Sequence, residues 1–149
     1  MIVQRTSIFP ADRDRVFQKL RQLSTLQAVA APYATFEPVM DASPAWEVGG
    51  TSSYRLRMFG LIPFGTHTIH IVRFDPDGIS SREGNERVPV WNHDITLRPL
   101  DDRRTEYTDR VEIHAGWKTV LVWVWAEAFY AHRQRKWIRL LRQEEQRRF

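Results

Sequence analysis

At 149 residues the chain is the size of one domain, long enough to bury about two-thirds of the surface its unfolded form exposes, and a second domain is not expected. Hydrophobic residues at 42% and charged residues at 27% lie near globular averages, six Trp and eight Phe supply much aromatic volume, and the absence of cysteine excludes a disulfide framework and a thiolate metal site. The net charge of +4 belongs to the tail: His132 to Phe149 holds seven Arg or Lys against Glu144 and Glu145, a balance of +5 that leaves −1 elsewhere, so it reads as solvated helix charge, and nucleic acid is not an expected partner.

The first residues, MIVQRTSIFPADRDRV, lack the apolar core of a signal peptide, and the longest uninterrupted apolar run, Val120 to Ala126, is too short to cross a bilayer. A cytoplasmic protein without stable membrane insertion is the expectation. Ile2 to Phe9 reads as a first strand. After Pro10, the helical spacing of Val16, Phe17, Leu20 and Leu23 predicts a short amphipathic helix. Ser24-Thr25-Leu26-Gln27 has the form of a capping box, so a second short helix is expected to start there and stop before Pro32.

From Thr35 to His114 turn residues cut the chain into strand-sized pieces: Thr51 to Phe59, Thr66 to Phe74, Ile79 to Glu83, Val88 to Arg98 and Thr105 to His114. Phe36 to Gly50 reads as a loop. Asp75-Pro76-Asp77-Gly78 places Pro where a type I turn needs its fixed φ, and Asp101 to Arg104 is the next hairpin tip. These connections are too short for crossover helices, so five or six strands after the two helices should be antiparallel, with the first strand beside Thr105 to His114.

Beyond Gly116 neither Gly nor Pro interrupts the chain up to Phe149, which predicts one helix of about 30 residues and about 45 Å. Trp117 to Ala131 is apolar almost all round, implying burial on more than one side. Trp117, Trp123, Trp125, Phe129 and Tyr130 span too much of the circumference to face one cavity. Core packing, a homodimer interface or membrane contact would each account for the remainder. For a homodimer, Trp123, Trp125 and Phe129 are the candidates, unless the amino-terminal helices or the loop from Phe36 cover them.

This order of elements, with FGLIPFGTHTI (Phe59 to Ile69), VPVWNH (Val88 to His93), YTDRVEI (Tyr107 to Ile113), AGW (Ala115 to Trp117) and HRQRKW (His132 to Trp137), resembles the SRPBCC group. That group is also called START-like, Bet v 1-like or polyketide cyclase/dehydrase-like, and the feel is of its bacterial members of unassigned function. The resemblance covers nearly all of 1–149 and implies a single α+β domain with a helix-grip fold: a curved antiparallel sheet around the long helix, enclosing a cavity. Members bind sterols, lipids, quinones, plant hormones or polyketides, and some catalyse cyclisation or dehydration, so function stays open.

On Val88 to Arg98 the more apolar face carries Trp91, His93, Ile95 and Leu97, and on Thr105 to His114 it carries Tyr107, Asp109, Val111 and Ile113. A register pairing Leu97 with Thr105 sets His93 opposite Asp109. The two are then either a general base with its orienting carboxylate or a satisfied buried pair, unless the register is shifted by two residues and separates them. His67 and His70 fall on opposite faces of their strand and His132 lies on the helix, so no metal site is expected, and no pattern points to a cofactor. Glu83 and Arg82, or Arg55 and Arg57, could orient a polar ligand, although alternation with Tyr54, Leu56 and Met58 suits a solvent face for Arg55 and Arg57.

Three functions follow. The first is binding of a hydrophobic small molecule, with Trp91, Tyr107 and Val111 as wall and His93 and Asp109 as polar anchors. The second is a cyclase- or dehydratase-type enzyme using His93 and Asp109. The third is a dimerising module without ligand.

Overall fold

A computed structural model of the chain describes residues 1–39 and 47–147. Strand β1 (Ile2–Phe9) is followed by helices α1 (Arg13–Leu20) and α2 (Leu23–Ala30), then by strands β2 (Ala34–Pro38), β3 (Thr51–Met58), β4 (Ile62–Asp75), β5 (Gly78–Gly84), β6 (Val90–Asp101) and β7 (Arg104–His114). A single 3₁₀ turn (Gly116–Lys118) leads into the long helix α3 (Thr119–Arg147). The strands form one sheet in the order β1-β7-β6-β5-β4-β3-β2, every described neighbour antiparallel, with β1 against β7 as expected.

Local chemistry sets the helix starts. Asp12 caps α1, its carboxylate accepting from Arg15 N at 2.9 Å. The capping box does not form: α2 begins at Leu23, Gln22 is its cap residue without a side-chain bond, and Ser24 lies inside the helix. The Gln22 carbonyl already accepts from Thr25 N and Leu26 N, which starts the helix two residues ahead of the expected Ser24 cap. Leu23 therefore belongs to α2 and not to α1. The stretch expected as a loop from Phe36 begins inside β2, which pairs residue for residue with Tyr54 to Met58. Residues 40–46 of that stretch lie outside the described residues.

The sheet owes its curvature to irregular pairing in three hairpins, between Arg55 and Arg57, Ile71 and Arg73, and Pro99 and Asp101. The last of these changes the register read from sequence. Asp101 pairs with Arg104, leaving a two-residue tip, and the irregularity at Leu100 brings Leu97 opposite Tyr107 and His93 opposite Val111. The concave face of β7 is regular, with Thr105, Tyr107, Asp109, Val111 and Ile113 all fully buried.

Helix α3 lays one stripe on that concave face: Ala126, Phe129, Tyr130, Arg133, Gln134, Trp137 and Leu141 are buried at helical spacing. Its start is not buried all round. Trp117 is 83% exposed and Leu121 67%, with Val120 and Val124 also exposed. Arg15 and Lys19 of α1 pair with Glu144 and moor the far end of α3.

Gly78 closes the β4–β5 turn so near β6 that an added Cβ would stand 1.9 Å from the Ile95 carbonyl oxygen. Gly78→Ala is expected to cost about 3 kcal/mol, the upper end of overpacking. Gly116→Ala, where φ is +60° but the space is open, should cost about 1 kcal/mol. Urea midpoints measure both, and equal losses would refute the close approach.

Candidate functional site

Alternation along each strand places a polar belt across the otherwise apolar concave face. His67 on β4, Ser81 and Glu83 on β5, His93 on β6 and Asp109 on β7 all point inward and are buried or nearly so. Asn85 Nδ2 lies 3.3 Å from His67 Nδ1, and His67 Nε2 donates to Glu83 Oε1 at 2.9 Å. Ser81 donates to the other Glu83 oxygen. His93 Nδ1 lies 3.8 Å from Glu83 Oε2, and His93 Nε2 donates to Asp109 Oδ1 at 2.7 Å.

His93 and Asp109 thus meet, by a route the sequence register does not supply. In the observed pairing they are diagonal rather than opposite, yet their side chains span the gap. Asp109 also accepts from Tyr107 Oη at 3.2 Å and from Gln134 Nε2 at 3.0 Å. Gln134 further donates to Arg5 O at 2.8 Å and accepts from Ser7, so the belt ties β6, β7, β1 and α3 together.

Burial pushes the Asp109 carboxyl up, but the His93 hydrogen bond, the Arg133 charge and Gln134 outweigh it, and its pKa falls below the ordinary value. Glu83 behaves alike: burial raises it, and the hydrogen bond and charge of His67, the nearby His93 and Ser81 bring it below the usual carboxylate value. Burial, then the Asp109 carboxylate, drive the Tyr107 hydroxyl upward, so the phenol stays neutral.

Beside this belt a cavity of about 440 Å³ separates the sheet from α3. Leu56, Ile69, Ile79, Ile95, Phe129 and Tyr130 supply its apolar wall. His67, Ser81, Glu83, Asn85, His93 and Arg133 make its polar side, and Trp117, Lys118 and Leu121 stand where α3 begins. Of the five residues read from sequence as ligand contacts, Trp91 and His93 line this space. Tyr107, Asp109 and Val111 sit outside its lining: Tyr107 stacks on Phe9 with centroids 4.3 Å apart, and Val111 is fully buried in the core. The reason is lateral, because the lining comes from β2 to β6 while β7 lies under α3 itself.

Arg55 and Arg57 are exposed, as strand alternation implies, and Glu83 is the member of that set that reaches the cavity. His70 bonds Thr51 on the outer face and His132 the Ala31 carbonyl. Trp123, Trp125 and Phe129 are not the outer face of α3. Trp123 donates to Ile2 O at 2.9 Å, while Trp125 and Phe129 stack at 4.8 Å on the cavity wall, because their positions turn toward the sheet. Among the described residues no group of three or more His, Asp or Glu is arranged to hold a metal ion, and no helix is long and apolar enough to cross a membrane.

Arg133 went unread in the sequence, though its place on the buried stripe of α3 is the signal that marks it. It is 5% exposed and lies on the cavity wall. Its one hydrogen bond among the described residues is a long 3.5 Å contact from Nη2 to Tyr107 Oη, and its Nε has no partner. Trp125 and Trp137 also line the cavity, and their indole nitrogens are likewise buried without acceptors, turned away from the open space. Each such orphan costs about 1–3 kcal/mol relative to a satisfied group.

A family model described as Domain of unknown function (DUF8410) matches residues 7–141. No curated protein sequence matches the chain. Among solved structures, a START superfamily protein from Mycobacterium smegmatis is similar with a TM-score of 0.74 at 10% identity, over 95% of this chain and 97% of that one. A protein from Arthrobacter aurescens gives a TM-score of 0.76 at 16% identity, over 95% of this chain and 86% of that one. One from Chromobacterium violaceum gives 0.72 at 14% identity, over 94% and 96%. At these identities the likeness is one of fold, and the fold is the START-like helix grip.

Three donors converge on Asp109, so Asp109→Asn turns one accepting position into a clashing donor and should cost about 3 kcal/mol. Because folding lowers the pKa values of Asp109 and Glu83, their contribution is complete above the ordinary carboxylate values of 3.8 and 4.5 and is lost as pH falls through the depressed ones. Urea titrations should show stability dropping below about pH 4, with a shallower drop in Asp109→Asn. An unchanged acid limb in the variant would overturn the assignment.

Proposed function

The chain belongs to the family described as Domain of unknown function (DUF8410), and we propose that it binds a hydrophobic small molecule in the cavity between the sheet and α3. The observation that carries this reading is the cavity itself: about 440 Å³, within the range of small-molecule pockets, with mainly apolar and aromatic walls and a few polar groups gathered on one side. Lipids, quinones and polyketides are the classes of suitable size and polarity. Trp91 and His93 are the proposed contacts, and Asp109 with Tyr107 acts behind His93 as support.

His93 has Nε2 committed to Asp109, and its Nδ1 stands 3.8 Å from Glu83 Oε2, beyond hydrogen-bond distance. In the binding reading the carboxylate–histidine contact stiffens the polar side of the pocket.

An uncharged fluorophore such as phenylnaphthylamine should bind at one site per chain with a blue-shifted emission. Ile69→Trp, which places an indole in the cavity, should weaken that binding about tenfold or more. Undiminished binding to the variant would move the site elsewhere.

A second, compatible reading rests on the exposed apolar start of α3, where Trp117, Val120, Leu121 and Val124 form a band beside the cavity. We propose a second copy of the chain as its cover, replacing Trp123, Trp125 and Phe129 as the interface residues. Sedimentation equilibrium at micromolar concentration should show mass above 17.6 kDa, reduced to the monomer by Leu121→Glu. A concentration-independent monomer would end this reading.

A further inference from the structure

The connection between β3 and β4 leaves large apolar side chains in water. Phe59 is 52% exposed, Leu61 82% and Ile62 58%. Single exposed apolar residues are ordinary, but three within four positions at the end of one hairpin are not.

Turn chemistry does not ask for them. The Met58 carbonyl accepts from Leu61 N at 3.1 Å, and the two residues between, Phe59 and Gly60, stand at φ +55° and +73°. Such a turn favours Asn, Asp or Gly, because the Cβ of an L-residue there crowds the following carbonyl oxygen. Gly60 fits this rule. Phe59 is the non-glycine residue with positive φ among the described residues, and a half-exposed aromatic ring at that cost points to a use outside the folded chain. The tip is also held in place: Phe59 N donates to Tyr33 O at 3.1 Å, and the two rings lie 5.7 Å apart.

The charge around the tip has one dominant sign. From Thr51 to Thr66 the sequence holds Arg55 and Arg57 and neither Asp nor Glu. Glu37 lies 3.8 Å from Arg55, whereas Arg57, opposite Pro63 at the base of the tip, has no ion pair among the described residues. Arg87 stands over the Phe64 ring at 5.7 Å and is likewise without an ion pair among the described residues. A narrow convex tip is too small for a protein interface, which covers about 800 Å² on each side. A bilayer surface needs no matching shape, takes apolar side chains below its head groups and holds cations at its phosphates.

We propose that the β3–β4 tip docks on an anionic lipid bilayer, with Phe59, Leu61 and Ile62 entering below the head groups and Arg57 and Arg87 meeting lipid phosphates. The contact is interfacial and reversible. It stands whether or not the cavity takes a ligand, and it uses residues other than the α3 band assigned to a second copy.

The test is cosedimentation of the whole chain with phosphatidylcholine vesicles containing about a quarter phosphatidylglycerol. Binding should weaken about tenfold or more on pure phosphatidylcholine and also fall as salt is raised. Leu61→Ser, at an exposed position, should weaken it about tenfold. Arg57→Gln should weaken it about fivefold, and on the anionic vesicles alone. Phe59→Asn places a residue suited to positive φ in the turn, so vesicle binding should fall while the urea midpoint holds or rises.

A wild-type chain that sediments with neither vesicle overturns the proposal. So does a Phe59→Asn variant with a lower urea midpoint and unchanged vesicle binding, since the ring would then serve the fold. Binding kept in Leu61→Ser and lost in Leu121→Glu overturns it in favour of the α3 band.

Discussion

A carboxylate fully removed from water needs its lone pairs filled from several directions, and Asp109 obtains its donors from three elements: His93 on β6, Tyr107 on its own strand β7 and Gln134 on α3. That requirement fixes how the helix sits. Gln134 cannot serve Asp109 and the Arg5 carbonyl unless α3 lies directly over β7 and β1, and the mooring of Glu144 by Arg15 and Lys19 then sets its direction. A wholly apolar β7 would permit sliding of the helix along the sheet, whereas one satisfied carboxylate selects a single position.

Seating the helix over one side of a curved sheet creates the hollow on the other. From β2 to β6 the sheet bends away from α3, and the space between is spanned by large side chains standing on the helix: Trp125, Phe129, Tyr130 and Trp137. Trp91 answers from β6, donating to Tyr130 Oη at 3.1 Å. These rings act as struts. Aromatic enrichment in so short a chain thus maintains separation between two layers as much as it fills a core.

Fold and site were unequally legible. Alternation and helical spacing are local properties, and they located β1, β3 to β7 and α3, as well as the inward orientation of Trp91, His93, Tyr107 and Asp109. Strand β2 was not placed because five residues between Tyr33 and Val39, the last of them Pro38, show too little alternation to separate from a loop. Register escaped because it depends on a single irregular residue near Pro99, which local pattern does not encode. The His93–Asp109 contact survived that error because long side chains also reach diagonal neighbours. Arg133 was missed for another reason: composition assigns a basic helix tail to solvent, although the helical spacing from Phe129 and Tyr130 to Trp137 puts position 133 on the buried stripe. Likewise the apolar start of α3 implied burial on all sides, but its outermost residues face away from the subunit's own sheet.

One edge of the sheet has a consequence for the order in which this chain acquires its structure. Strand β1 is made first and finds its partner in β7; Met1 bonds Ile113 across 112 residues, and Ser7 reaches Gln134 across 127. Hairpins β3 to β7 can form from neighbours as they emerge, but β1 has no strand to join until β7 exists, about 100 residues later, and Asp109 has no Gln134 until α3 is made. During synthesis the buried edge of β1, with Val3 and Phe9, is thus an unpaired apolar strand, the kind of surface that chaperones cover. The sheet is closed by contacts of long sequence separation, which join β1 to β7 and α3.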